Sequence, residues 1–518
     1  MASSLSILGA LPAPSRSAEG DSLLLDRRTM ITSCFQYHVV TSYDRNRMEG
    51  HVLDWGNQPG VFKEYAGLKS ISLPEPGSFP EKKLSEILRG TDVISEEIEV
   101  DVKVLSTILF LTYSLTAKVR QGSGDFYFRS VPSAGALYPV ELYLAARGIG
   151  GLQDGLYHFS VARHGLHSLR TGSSPGSAET CPTLTFFLTA IFFRSCWKYR
   201  GRGYRYCLLD TGHLLQNLIL AARSMGWCLS CSYDFPDEEV DRFLGLDPER
   251  EICLAVAPDL NGKDVLPGIL SPPEELPRDF LDASRTARRE TAYSAALEAH
   301  RAGVSVKRGT EKDSSVVVQT PGPSPAHWES APRPGTWPEL VQYKDALFSR
   351  RSRRNFVRKP VVDAVVGALI EGLSITASEN RGRLVCAGLL MNGTESRNPG
   401  YYLVDSETGS LGIVKEGRFM EDMARICLDQ AWLANAALHF LFMADLKALE
   451  DRFGPRGYRY AMLEAGRMGE TLYLCAASMG YGCCGIGALY DEEARRFLGL
   501  DENSRLLYLV AVGPVKRS

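Results

Sequence analysis

Residues 202–227 read RGYRYCLLDTGHLLQNLILAARSMGW, and residues 456–481 read RGYRYAMLEAGRMGETLYLCAASMGY. The similarity continues beyond these stretches: 202–257 aligns without a gap onto 456–511 at a constant offset of 254, with 24 identities over 56 positions. Two copies are too few for a solenoid, which stacks three or more short units. The chain therefore contains a duplicated domain.

Both copies combine helix and strand signals. Leucines and small residues at three- and four-residue spacing predict an amphipathic helix over 203–225, with Gly212 and its counterpart Gly466 allowing close approach of a neighbouring backbone. Apolar runs at 140–145 and 506–512 predict strands. This mixture predicts an α+β fold, in which the two tandem copies pair around a pseudo-twofold axis as the subunits of a homodimer do.

The overall composition is that of a soluble globular protein. The 518 residues carry a formal charge of −3, and 44% are hydrophobic and 23% charged, which excludes collagen-like and disordered chains. Near-zero net charge gives no reason to expect a nucleic-acid partner. The longest apolar run, 184–193, has about half the length that a membrane-spanning helix needs. We therefore expect neither nucleic acid nor membrane as a partner.

Composition shifts divide the chain into four segments. Residues 1–30 are a Ser-rich extension, predicted to be disordered, without the apolar core of a secretory signal. We place a first domain at 31–300, a Pro-rich linker or surface excursion at 301–339 and a second domain at 340–518. A cytoplasmic location is expected, with organelle targeting by the extension as the alternative. Because the two halves can pair with each other, a monomer is expected.

The cysteines do not predict a metal site. The twelve cysteines are scattered, as in a reducing compartment, and the one Cys-x-x-Cys, Cys228 and Cys231, has no second pair at a suitable spacing. We interpret them as packing residues or bystanders and predict no bound metal.

Two segments suit a flat, phosphate-bearing ligand. The first segment places an anion-binding side chain at every second position: Arg350, Ser352 and Arg354. Two guanidinium groups with a hydroxyl between them suit a phosphate. The alternative is a solvated basic cluster or a nuclear-type signal. In the segment VPSAGALYP (131–139), the small residues would let the backbone lie against a flat ring, although the segment taken alone favours an ordinary turn.

Two further segments have weaker signals. The glycines of 480–485 match G-x-G-x-x-G but end a helix instead of opening one, so they predict a helix C-cap and a tight loop at Gly485-Ile-Gly487 with backbone amides available to a ligand. Lys198 and Tyr199 form an ammonium–phenol neighbour pair that can act in acid–base chemistry, since the ammonium can lower the pKa of the phenol. The alternative is two surface residues.

Together these segments resemble the nitroreductase superfamily in its SagB-type azoline dehydrogenase branch. The resemblance rests on PSAGALYPVELYL (132–144), KYRGRGYRYCLLDTGHLLQN (198–217) and RRSRRNF (350–356). It implies a nitroreductase-like α+β fold and an FMN cofactor held between two protomers. One protomer supplies the Arg-x-Ser-x-basic phosphate grip and the glycine loop, and the other supplies the Pro-Ser loop.

The two halves have lost complementary parts of that site. The first half keeps Pro132, Ser133, Ala134 and Gly135, but its phosphate segment has become LRGTDVISEEI (88–98) and its glycine loop CLSCSY (228–233). The second half keeps the grip, the glycines and a basic C terminus, but its Pro-Ser loop has become TASEN (376–380). This pattern predicts one FMN per chain, between the halves. The resemblance implies these cofactor-binding residues: Arg350, Ser352, Arg354, Pro132, Ser133, Ala134, Gly135, Gly485, Gly487 and Lys516.

The resemblance also implies the chemistry. Lys198 and Tyr199 match the Lys-Tyr pair that azoline dehydrogenases use for proton transfer, so they are the predicted catalytic residues. The leading hypothesis is an FMN-dependent oxidoreductase acting on a small molecule or modified peptide, with NAD(P)H or oxygen as a possible co-substrate. The alternatives are an azoline-to-azole dehydrogenase component of a peptide-modifying complex and a non-catalytic flavin- or ligand-binding protein.

Overall fold

The computed structural model describes residues 30–48, 50–90, 101–121, 124–171, 182–259, 278–304, 321–322, 324–332, 334–379 and 384–516. The predicted disordered extension therefore lies outside the described residues, except for Met30. The altered phosphate segment of the first half also lies mostly outside them, from 91 onward, as does the middle of the predicted linker, 305–320.

The first half alternates helices with antiparallel strands. Its helices are α1 (Cys34–Val40), α2 (Leu84–Arg89), α3 (Val102–Thr112), α4 (Phe192–Tyr199), α5 (Gly203–Ser224), α6 (Asp237–Leu244), α7 (Arg278–Asp282) and α8 (Ser294–Ala302). Its strands are β1 (Ser70–Ser72), β2 (Leu115–Gln121), β3 (Gly124–Arg129), β4 (Val140–Arg147), β5 (Gly155–Ser160), β6 (Gly165–Thr171), β7 (Thr183–Ile191) and β8 (Glu251–Pro258).

The second half repeats this pattern. Its helices are α9 (Tyr343–Ser349), α10 (Asp363–Ser378), α11 (Met420–Ile426), α12 (Leu446–Phe453), α13 (Gly457–Ser478) and α14 (Asp491–Phe497). Its strands are β9 (Trp328–Ser330), β10 (Cys386–Met391), β11 (Gly400–Asp405), β12 (Ser410–Glu416), β13 (Leu438–Asp445), β14 (Gly482–Ile486) and β15 (Ser504–Gly513). Short 3-10 turns lie at Trp55–Asn57, Ala134–Ala136, Arg200–Arg202, Ala431–Asn435 and Gly454–Arg456.

Each half contains one sheet with the same central strand order. The first sheet runs β1-β6-β5-β4-β7-β8 and the second β14-β15-β13-β10-β11-β12-β9, while β2 and β3 form a separate hairpin. Every strand pair in the two large sheets is antiparallel. The predicted α+β fold with two tandem copies is therefore confirmed, and the predicted strands at 140–145 and 506–512 fall within β4 and β15.

The long helices α5 and α13 cross at the centre of the molecule. A side chain at Gly212 would collide with the backbone carbonyl of Leu463, and one at Gly466 would collide with that of Leu209. Glycine at these two positions thus lets the helices touch backbone to backbone. Nearly all residues of both helices are buried, so the two repeats pair as an intramolecular pseudo-dimer.

Two reciprocal ion-pair clusters join the halves. Arg202 and Arg205, which precede and open α5, each bind Asp491 of the second half at 2.7 Å. At the positions offset by 254, Arg456 and Arg459 bind Asp237 of the first half. The repeated RGYR and DEE motifs therefore serve the interface. Burial alone would raise the pKa of Asp491, but Arg202 and Arg205 hold it well below its usual range.

Segments outside the repeats also cross between the halves. The backbone N–H of Cys34 in α1 donates to the Glu450 carboxylate of α12 at 3.2 Å, so the start of the predicted first domain docks on the second half. Helix α8 runs across the predicted boundary at residue 300, and β9, inside the predicted linker, pairs with β12. Trp337 near the end of that segment is buried. The described end of the Pro-rich segment is thus packed against the second half.

Candidate functional site

The loop Pro132–Gly135 is held by a buried carboxylate. Asp210, on α5, accepts a hydrogen bond of 2.5 Å from the Ser133 hydroxyl and one of 3.3 Å from the Ala134 backbone N–H. Burial raises the pKa of Asp210 to about 7, even though these two hydrogen bonds oppose the shift. The neighbouring Ala136 has φ 54°, a left-handed conformation that non-glycine residues rarely adopt. Asp210 was not predicted from the sequence, where its one signal is its place on the helix that begins the repeat.

Lys198 and Tyr199 end α4 directly beside this loop. A Cβ at Gly135 would lie 2.8 Å from the Tyr199 hydroxyl and 3.2 Å from the Lys198 ammonium, so only glycine lets the loop approach the pair. Burial and the nearby Arg354 lower the pKa of Lys198. Burial raises the pKa of Tyr199 well above its usual range, which contradicts the expected lowering by the ammonium. Burial of the phenol, with smaller contributions from Tyr206, Tyr43 and Asp210, outweighs the lowering by Arg354.

Arg350 of the second half reaches across to the first half. Its guanidinium donates to the backbone carbonyls of Ser130 at 2.8 Å and Arg129 at 2.9 Å, immediately before the Pro132 loop. The side chain is buried, and its remaining terminal nitrogen has no hydrogen-bond partner among the described residues. A buried guanidinium nitrogen without a partner is costly, so an acceptor such as a water or a ligand atom is expected beside it.

The other predicted grip residues lie next to Arg350. The Ser352 hydroxyl is 3.0 Å from the Tyr473 hydroxyl. Arg354 is exposed, lies 5.9 Å from the centre of the Trp432 ring and is close enough to Lys198 to influence its charge. The backbone N–H of Lys516 donates to the carbonyl of Asn355 at 3.1 Å, so the basic C terminus lies beside the grip.

Gly485 and Gly487 lie differently from the prediction. Gly485 belongs to β14, so it is part of a strand and not of a tight loop, and its N–H donates to the Tyr473 hydroxyl at 2.6 Å. This amide is therefore already engaged. Gly487 follows the strand, and its carbonyl accepts from Arg202 at 2.9 Å. A Cβ at Gly487 would lie 2.6 Å from the ring of Tyr206, whose buried hydroxyl has no partner among the described residues.

The structure brings all of these segments together between the halves. We name this place the candidate cleft; it is formed by Pro132–Gly135, Lys198–Tyr199, Arg350–Arg354, Gly485–Gly487 and Lys516. Two buried donors without partners among the described residues, on Arg350 and Tyr206, lie beside backbone that approaches the tyrosine side chains closely at Gly135 and Gly487, and they fit a flat ligand with polar edges. The residues present therefore fit a flavin with a phosphate tail.

The pseudo-twofold axis relates the candidate cleft to a second place, the opposite cleft. It is formed by the ends of α2 and α10, by Cys228–Tyr233 and by Arg467. There Arg89, the one basic residue of the altered phosphate segment, is bound at 2.8 Å to Glu371. Glu379, from the segment that replaces the Pro-Ser loop, binds both Arg223 and Arg467 at 2.6 Å. Residues 376–378 belong to α10, and Asn380 lies outside the described residues.

Two classes of site receive no support in the described part of the chain. No group of three or more His, Cys, Asp or Glu side chains there could hold a metal ion. Among the same residues, no helix is both long and apolar enough to cross a membrane.

Comparison with known proteins assigns the family. The Nitroreductase family model matches residues 79–257 and 347–514, one region in each half. The chain belongs to the nitroreductase family. A crystal structure described as a "putative nitroreductase" from Anabaena variabilis superimposes with a TM-score of 0.73 at 25% identity, over 94% of this chain and 100% of that one. Both halves therefore share the nitroreductase fold, as predicted.

Two of the sequence relatives are named as processing proteins. The Trifolitoxin-processing protein TfxB of Rhizobium leguminosarum bv. trifolii is 30% identical over 30% of this chain and 46% of its own length. The Microcin B17-processing protein McbC of Escherichia coli is 32% identical over 25% of this chain and 52% of its own length. The chain thus matches about half the length of each. "Putative nitroreductase MJ1384" of Methanocaldococcus jannaschii is 29% identical over 34% of this chain and 88% of its own length. These relatives support an oxidoreductase of flavin type.

Proposed function

We propose that this nitroreductase-family protein is an FMN-dependent oxidoreductase that binds one FMN in the candidate cleft and acts on a small molecule or modified peptide. The observation that carries the proposal is the bridge from Arg350 to the carbonyls of Arg129 and Ser130, which joins the phosphate-side cations of one half to the Pro-Ser loop of the other. The parts retained by the two halves thereby form one complete site.

Residues of the second half would hold the phosphate. The unpaired nitrogen of Arg350, the exposed guanidinium of Arg354, the Ser352 hydroxyl and the side chain of Lys516 provide donors and positive charge at one end of the cleft. Charge-assisted hydrogen bonds from arginine to phosphate are among the strongest that proteins make. A dianion at this position would also offset the charge of Arg354, while burial, the larger cause of the lowered pKa of Lys198, would remain.

The first half would receive the ring system and manage the proton. Bound FMN supplies hydride transfer, and the protein supplies positioning and proton handling. The lowered pKa of Lys198 makes the neutral amine accessible, so Lys198 can accept a proton. The raised pKa keeps Tyr199 protonated, so its hydroxyl can donate a hydrogen bond beside Gly135. We assign Lys198 as the base and Tyr199 as the donor that orients the substrate.

A second candidate function is the azoline-to-azole dehydrogenase. Oxidation of a thiazoline or oxazoline to the aromatic azole removes one hydride equivalent and one proton, which the flavin and Lys198 can respectively accept. The position of Lys198 and Tyr199 beside the Pro-Ser loop favours this reaction, as does the similarity to the Trifolitoxin-processing protein TfxB and the Microcin B17-processing protein McbC. A third candidate, a flavin-binding protein without catalysis, shares the same cleft and differs only in turnover.

The test uses the purified full-length chain. We expect a yellow protein with one FMN per polypeptide after dialysis, measured by visible absorbance and by release of the flavin. NAD(P)H or a reducing substrate should bleach the flavin, and oxygen or another acceptor should restore the colour. No flavin, or two per chain, overturns the single-site proposal. A flavin that no donor reduces would favour the non-catalytic candidate, and oxidation of a synthetic thiazoline peptide would favour the azoline dehydrogenase.

A further inference from the structure

Arg467 lies fully buried in the opposite cleft, with each side-chain nitrogen engaged. Its Nε donates to Gln216 at 3.0 Å, one terminal nitrogen contacts Glu464 at 3.4 Å and the other donates to Glu379 at 2.6 Å. The same guanidinium lies 3.8 Å from the sulfur of Cys231. The side chain therefore spans from α5 of the first half to the segment that replaces the Pro-Ser loop.

The surroundings of Arg467 have counterparts around the candidate cleft. At the offset of 254, the first-half residues correspond to second-half residues as follows: Asp210 to Glu464, His213 to Arg467, Gln216 to Glu470 and Cys231 to Gly485. Asp210 holds the Ser133 loop, and Gly485 carries the strand next to the grip. The volume that Arg467 fills thus corresponds to the volume between Gly485 and the Pro-Ser loop, where the proposed flavin ring would lie.

At the corresponding position of the candidate cleft, the His213 ring is bound by two residues of the second half. Its Nδ1 is 2.7 Å from the Glu470 carboxylate and its Nε2 is 3.0 Å from the Tyr508 hydroxyl. These two partners hold the short imidazole beneath β14, since the Tyr508 hydroxyl occupies the place where a Gly485 side chain would be. The loop Pro132–Gly135 has no carboxylate like that of Glu379 to draw a cation across the cleft.

We propose that the residue at position 213 and its counterpart at 467 determine which of the two clefts accepts a cofactor. In the opposite cleft, the guanidinium of Arg467 and its carboxylate partners take the place that a cofactor would need. His213, retained by Glu470 and Tyr508, keeps the candidate cleft available. This inference rests on the proposed function, because it takes FMN as the ligand of the candidate cleft.

The test transfers the arginine to the candidate cleft. We expect His213→Arg to lose FMN binding at concentrations that saturate the wild type, because the longer side chain would extend into the part of the cleft that Arg467 fills on the opposite side. The matched control is His213→Gln, which is too short to cross the cleft and should still bind one FMN. Isothermal titration with FMN and thermal unfolding without it separate loss of binding from loss of folding.

A double variant covers the case in which the single one does not fold. His213→Arg with Glu470→Gln recreates the Arg–Gln pair that the opposite cleft already contains, so it should fold and bind no FMN. The reverse change, Arg467→Ala, should keep one FMN per chain, because the opposite cleft also lacks the phosphate grip and the Pro-Ser loop, but it should unfold at lower temperature, since Glu379 and Glu464 lose a buried cation. Normal FMN affinity in a folded His213→Arg or double variant overturns the inference while leaving the proposed function intact. Absence of FMN from the wild type would overturn the proposed function instead.

Discussion

The candidate cleft and the opposite cleft derive from the same duplicated residues, yet they have opposite characters. At the candidate cleft, Arg354 is exposed and Arg350 and Tyr206 each keep a buried polar atom without a partner among the described residues. At the opposite cleft, Arg89 is paired with Glu371, and Arg467 with Glu379. In the candidate cleft, Arg350 and Arg354 have no carboxylate partner among the described residues, whereas the cations of the opposite cleft pair with carboxylates of the chain itself. The difference shows that duplication preserved the architecture while separating the chemistry of the two sites.

The largest expected effect distinguishes the catalytic pair from its counterpart. Lys198→Ala combined with Tyr199→Phe should retain FMN and lower turnover about 10²–10⁴-fold, the usual contribution of a positioned acid–base pair. The counterpart pair is Arg452–Phe453, and Arg452→Ala should leave turnover unchanged. Steady-state kinetics on the FMN-loaded protein measure both. Equal turnover in the two variants would show that Lys198 and Tyr199 take no part in catalysis.

The second effect is expected to be equal in the two halves. Asp491→Asn and Asp237→Asn each break a buried pairing with two arginines, and each should lower the free energy of unfolding by about 3–5 kcal/mol. Urea denaturation of the two variants makes the comparison. If the free energy of unfolding falls in only one of the two variants, the two ion-pair clusters do not contribute equally to the contact between the halves.

A smaller effect concerns the phosphate. Arg354→Ala should weaken FMN binding by about 1.5–3 kcal/mol, or roughly 10–150-fold in Kd, because a charged hydrogen-bond donor is removed. Arg89→Ala is the matched change at the opposite cleft, where the pair with Glu371 is partly exposed and contributes at most about 1 kcal/mol to stability. It should leave the FMN affinity unchanged. Retention of all the flavin by Arg354→Ala after dialysis would contradict the phosphate assignment.

The smallest effect is a shift in pH dependence. If neutral Lys198 is the base, turnover rises with pH through its pKa, which burial and Arg354 lower. Replacing Arg354 with alanine removes a like charge, so the pKa of Lys198 rises and the rising limb of the profile moves to higher pH. Turnover of Arg354→Ala at saturating FMN, followed against pH, gives the shift. A limb that moves to lower pH would exclude Lys198 as the titrating group.

The fold could be predicted from the sequence because the patterns that indicate it are local and occur in both halves. The periodicity of 203–225, the short strands and the offset of 254 each follow from residues that are close in the chain, and the two glycines at the helix crossing could be recognised from their alignment. No local pattern relates residue 133 to residue 350. The proximity of the phosphate grip, the Pro-Ser loop and the Lys-Tyr pair could therefore be predicted only from the resemblance to a family.

Other features depend on tertiary contacts that the sequence does not display. Burial of Tyr199 reverses the direction expected for its pKa, and Gly485 forms a strand because β15 provides a pairing edge for residues 482–486. The roles of Asp210 and Arg467 were missed for the same reason. Each is an ordinary polar residue on a helix until its partners from distant segments are known.

The position of Arg467 bears on why such a protein consists of a single long polypeptide. In an assembly of two identical subunits, any arginine introduced on the central helix would enter both cavities at once and eliminate both. Covalent linkage of the repeats removes that constraint, since each copy can mutate independently. One cavity could therefore be given up to strengthen the contact between the repeats while its twin continued to bind a ligand.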